Sequence, residues 1–216
     1  MAGGNLSSAL SVRARFERLP ATLKGAFILR GEDADPHQVE FRGASIVGVG
    51  IDVRVPMPIT AASLDAAPHR DVFVPFEAQI GELGPGWYTL EAELDVDGTT
   101  SSFDGGRRFA MAWPRATVRR GQVRIDQDVS VHSTTVHLEQ LELGGDSAKL
   151  HLRTDPPADV AVSILADGER LGELEVEHDD GSGRTKITTY PVLRSHRSIR
   201  VDVRGATGTV DVPLPE

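Results

Sequence analysis

The 216 residues carry 23 Lys and Arg against 32 Asp and Glu, a formal charge of −9, so nucleic acid and anionic lipid surfaces are not expected partners. Cysteine is absent, which excludes disulfides, thiolate metal sites and a cysteine nucleophile. With 39% hydrophobic and 25% charged residues the composition is that of a folded globular chain, and at roughly 100 to 200 residues per domain its length suits two small domains.

Leu10, Val12, Ala14 and Phe16 alternate with Ser11, Arg13, Arg15 and Glu17, the period of a half-buried strand. A second strand is expected over 23–30, closed by turn chemistry at Gly31, Asp33, Asp35 and Pro36. Strands follow over 38–42 and 45–55, with Gly48 and Gly50 marking a bulge or a close backbone approach. The stretch PMPITAASLDAAPH, residues 56–69, is the one place where a helical turn is expected, capped by Thr60 and ended by Pro68. Strands resume over 71–79, 87–96 and 107–113.

Pro114 to Gly121 breaks the alternation, and all seven Phe and both Trp precede Arg115. This predicts a boundary between a first β-sandwich, residues 5–115, and a second, residues 116–216, whose core is Val, Leu and Ile. In the second half, strands are expected at Val123 with Ile125, and over 129–131, 135–143, 148–152, 160–165, 171–176, 185–190, 198–203 and 209–212. The expected fold class is all-β, two tandem antiparallel sandwiches.

One short stretch resembles a known family. LGPGWYTL, residues 83–90, followed by EAELDVDG, resembles the corner of bacterial immunoglobulin-like domains, in which a Leu, a Pro-Gly and a Tyr two residues on lead into a core strand. VRIDQDVSVHSTTVHLEQLELGGDSAKLHLRTD, residues 123–155, is similar to immunoglobulin-like modules of bacterial surface and regulatory proteins. The resemblance implies that Tyr88 is buried with its hydroxyl bonded to backbone. The cysteine pair and strand-C tryptophan of antibody-type domains are missing, so it supports architecture and not antibody-like recognition.

Candidate chemistry is sparse. His132, His137 and His151 match no zinc spacing, and the odd separation of 132 and 137 puts them on opposite faces of a regular strand. Asp95, Asp97 and Asp104, in DVDG and FDGG, offer three carboxylates for calcium if the two motifs bracket one loop, but Asp-Gly is foremost a hairpin signal. No nucleophile elbow, Walker loop or dinucleotide fingerprint occurs, and Glu91, Glu93, Glu173, Glu175 and Glu177 alternate with apolar residues as a solvated face does. Two arginine-rich clusters, Arg107, Arg108, Arg115, Arg119, Arg120 and Arg124, then Arg184, Lys186, Arg194, Arg197, Arg200 and Arg204, are read as internal charge matching, with acidic-polymer binding the alternative.

The expectation is therefore a non-enzymatic interaction or scaffold protein for a protein partner, without cofactor or membrane insertion. The alternative is a carbohydrate-binding accessory domain. Trp87, Asp97, Phe103 and Arg107 form the expected binding surface in either case, with Trp113 a further aromatic for a sugar platform. The opening MAGGNLSSALSVRARFERLP lacks a signal-peptide pattern, which predicts a cytoplasmic chain, or an extracytoplasmic one if the segment comes from a longer exported protein.

Overall fold

The computed structural model describes residues 9–59, 62–179, 181–206 and 208–215. The protein is all-β, with 64% strand and 0% helix. Its contacts divide it into two compact units, Met1–Met111 and Ala112–Glu216, the division falling a few residues before the expected boundary at Arg115.

The first unit contains β1 (Leu10–Arg18), β2 (Thr22–Gly31), β3 (His37–Gly48), β4 (Arg54–Met57), β5 (Ala62–Ala66), β6 (Asp71–Gln79), β7 (Gly86–Val96), β8 (Thr99–Asp104) and β9 (Phe109–Met111). One antiparallel sheet runs β1-β2-β6; the other runs β4-β3-β7-β8, with β5 added to β3 and β9 to β7. Alternate residues of both sheets close on one core: Leu10, Phe27 and Leu29 from one, Phe41, Ile46 and Leu90 from the other, all at most 1% exposed.

The second unit contains β10 (Gly121–Val131), β11 (Thr134–Leu143), β12 (Ala148–Asp155), β13 (Val162–Ala166), β14 (Glu169–Arg170), β15 (Glu173–Asp179), β16 (Arg184–Thr189), β17 (Ile199–Val203) and β18 (Thr209–Val212). Its sheets run β10-β11-β12-β16-β15 and β14-β13-β17-β18. The core between them is Val, Leu, Ile and Ala, as the aromatic-poor sequence implies. Trp113 lies in this unit and meets Tyr190 edge-on, centroids 5.6 Å apart.

Two expectations are corrected, and the alternative left open at Gly48 resolves to a close approach. Ala62–Ala66 forms strand β5, not a helical turn, because the ladder to β3 from His37↔Ala66 to Phe41↔Ala62 overrides the helix propensity of its alanines; Thr60 lies outside the described residues. The bulge of β3 lies between Phe41 and Gly43, not at Gly48, whereas Gly48 does make a close approach: a Cβ there would lie 2.3 Å from Ile51 Cγ1. Residues 99–104, read as loop, form β8, because Asp97 and Gly98 both take positive φ, 49° and 83°, and turn the chain in two residues.

The corner at Tyr88 has the expected geometry. Its ring is 1% exposed and stacks on Phe109 at 5.6 Å, and its hydroxyl donates to Gly84 O at 2.9 Å. Gly86 leaves the room: a Cβ there would sit 3.3 Å from the ring.

Candidate functional site

The four residues expected to form a binding surface are not gathered by the fold. Trp87 is the second residue of β7 and Asp97 follows its end, so the two stand on the order of 33 Å apart at strand spacing. Trp87 is half-buried beside its cross-strand neighbour Ala110. Phe103 packs against the first core, opposite Ala92. Arg107 is exposed, but its guanidinium lies 4.7 Å over the Phe16 ring and donates to Phe16 O at 3.0 Å.

Asp97 belongs instead to a clasp. His37 at the start of β3 is within 2.6 Å of Asp97 Oδ2 through Nδ1 and within 2.8 Å of Asp33 Oδ1 through Nε2. Ionised carboxylates only accept, so the two bonds are made together when both ring nitrogens carry hydrogen, and the arrangement favours the cationic imidazole. These bonds, Asp97 first and Asp33 second, raise the His37 pKa, while the His37 bond lowers that of Asp97. The other oxygen, Asp97 Oδ1, accepts the Gln38 N–H at 2.9 Å. Both charges are consumed in tying the 31–37 turn to the β7–β8 hairpin.

The other carboxylates and imidazoles weighed as metal ligands are engaged with neighbouring groups. Asp95 takes Arg42 at 3.2 Å, and Asp104, about 13 Å along the β7–β8 ladder, takes Thr89 Oγ1 and the Gly106 N–H. His137 pairs with Asp128 at 2.6 Å. His151 Nε2 lies 3.4 Å from Glu142 Oε1, yet it is buried without a hydrogen bond, so the contact is proximity with poor bond geometry. Among the described residues no three His, Cys, Asp or Glu converge as metal ligands.

Several members of the arginine clusters have partners within the chain. Arg119 donates to Pro215 O at 2.8 Å and to His196 O at 3.3 Å, while Arg124 pairs with Asp126 and Arg200 with Asp211. The β15–β16 hairpin is charge-matched as its parity predicts: Glu173, Glu175 and Glu177 are exposed, and Glu177 meets Lys186 at 2.7 Å. Glu173, beyond a register shift, takes Arg170 instead.

One surface breaks the binary pattern. On the outer face of β1-β2-β6 the register aligns Arg13–Ile28–Phe73 and Arg15–Ala26–Pro75 in neighbouring rows. Flanking rows are satisfied ion pairs, Arg30–Asp71 at 3.9 Å and Lys24–Glu77 at 2.9 Å. Between them Phe73 is 59% exposed, the more exposed of two large hydrophobics that stand out among the described residues. Arg15, Ala26, Ile28, Phe73 and Arg107 line an open groove of about 550 Å³. Arg13 and Arg15 have no ion pair or side-chain hydrogen bond among the described residues. The sequence carried the signal: AFIL at 26–29 and VFVPF at 72–76 are continuously apolar where a half-solvated strand would alternate.

The chain matches no protein-family model and no curated protein. Among the described residues no helix is long and apolar enough to cross a membrane.

Proposed function

We propose that the chain is a non-catalytic interaction protein, and that its first unit docks an acidic, apolar segment of a protein partner on the outer face of β1-β2-β6. The observation that carries this is Phe73, an exposed aromatic beside Ile28, Ala26 and Pro75 at positions whose parity calls for polar side chains. Aromatic anchors over an apolar floor with a charged rim are the common anatomy of recognition surfaces. The rim here is mainly cationic: Arg15 and Arg107 line the groove, with Arg13 one row beyond Arg15 and Glu17 the one acidic lining residue, so the complementary segment carries Asp or Glu beside a large apolar side chain.

Docking on the face rather than along an edge is favoured by how the edge is guarded. Pro75 removes a donor from edge strand β6, and β1 gives its Ala14 N–H to Gly105 O. We further read each unit as an immunoglobulin-like sandwich; the pairing of β1-β2-β6 with β4-β3-β7-β8 and the Tyr88 corner support that reading. Carbohydrate binding has no observation in its favour, since Trp87 is half-buried and Trp113 packs on Tyr190.

Selection from a random displayed peptide library tests the proposal. The wild-type chain is expected to enrich peptides with acidic residues flanking a large apolar one, and Phe73→Asp to lose that enrichment. An enriched motif retained by Phe73→Asp would contradict it.

A further inference from the structure

A different observation, in the second unit, points to a second kind of ligand. The outer face of β10-β11-β12-β16-β15 is polar throughout its central rows, and its register sets Asp128, His137, Arg153, Arg184 and Asp179 in one line across the five strands. The line is acidic at both ends and basic in the middle. Its carboxylates make their hydrogen bonds elsewhere: Asp128 to His137 at 2.6 Å, and Asp179 to its own turn, accepting Ser182 Oγ at 2.6 Å and the Gly181 N–H at 3.2 Å; these turn bonds lower the Asp179 pKa first, with the charge of Arg184 across the ladder a smaller cause. Arg153 and Arg184 stand directly opposite one another on adjacent strands, both exposed, with Cα atoms about 4.5–5.5 Å apart. Neither guanidinium has an ion pair or hydrogen bond among the described residues, although Asp155 shares the face of Arg153 two residues along β12. Lys186, one row away, takes Glu177 at 2.7 Å.

Like charges placed directly opposite destabilise a sheet, and a chain with nine excess negative charges has carboxylates to spare for such a position. Two guanidinium forks on directly opposed residues, neither in an ion pair among the described residues, offer the bidentate geometry that an oxyanion takes. We propose that Arg153 and Arg184 form a binding site for one oxyanion group, phosphate, sulfate or carboxylate, clamped between the two side chains on the β12–β16 ladder. The site is in a different unit from the Phe73 groove and depends on none of its residues.

Chemical-shift titration of the isotope-labelled 216-residue chain tests this at constant ionic strength, using inorganic phosphate, sulfate and acetate as separate probes. Saturable shifts centred on the amides of 153 and 184 are expected, with Lys24 of the first unit unmoved. Arg153→Gln and Arg184→Gln should each weaken binding about tenfold or more, because each removes a charge-assisted partner. Preference for phosphate and sulfate over acetate assigns a tetrahedral group, and the reverse order a carboxylate; both outcomes support the site. Linear drifts with all three anions, or saturation unchanged in both variants, would overturn it.

Discussion

His37 Nδ1 and Asp97 Oδ2 stand 2.6 Å apart, and the same ring reaches Asp33 with its other nitrogen. The His37 pKa is raised above its ordinary 6.5, and that of Asp97 is lowered below 3.8. The histidine's contribution to stability is fully present below 6.5 and is lost as pH rises through the higher folded-state value. The aspartate's contribution is present above 3.8 and is lost as pH falls through its depressed value. The clasp is therefore complete between those limits, and unfolding of wild type by urea should show a stability decline on going from pH 6 to pH 9 that His37→Gln reduces. An identical pH dependence in His37→Gln would show that the clasp is not coupled to folding.

The Tyr88 hydroxyl has one measurable consequence. Tyr88→Phe keeps the stacked ring but leaves Gly84 O without this donor, which should lower stability by about 1 kcal/mol. Denaturant titration reads it directly, and a loss near zero would mean that water replaces the phenol.

Phe27 and Phe73 occupy adjoining strands of one sheet with opposite exposures, 0% and 59%. Phe27→Ala should destabilise the protein by about 3–5 kcal/mol, as emptying a core site does. Phe73→Ala should change stability by no more than about 0.5 kcal/mol, as surface substitutions do. Comparable losses in thermal unfolding would mean that Phe73 is a packing residue.

The Lys186–Glu177 pair is expected to fix register more than to stabilise. Both side chains are substantially exposed, 30% and 52%, and a double-mutant cycle should return only about 0.2–1 kcal/mol.

Period-two alternation made most strands legible, and turn residues placed most hairpins, because both reflect local chemistry. Alanine-rich β5 was hidden, since its strand state comes from β3 and not from its own propensities. β8 was hidden because TTSSFD carries little apolar signal and is held by β7. The Tyr88 corner was readable from LGPGWY, a motif whose geometry lies within five residues. Candidate surface residues fared differently: Asp97 was conspicuous as turn chemistry, but its carboxylate is taken by His37, a residue sixty positions away. Conversely, Phe73 and Ile28 escaped notice because apolar residues in a strand read as core until register shows which face they occupy.

The docking face is tested most directly by titrating the isotope-labelled chain with the peptide enriched in the library selection. Saturable shifts at residues 13, 15, 26, 28 and 73 are expected, with affinity reduced about tenfold or more by Phe73→Asp, as for an interface anchor, and unchanged by Trp87→Phe. Shifts centred on Trp87, Asp97 or Phe103, with binding indifferent to Phe73→Asp, would contradict the account.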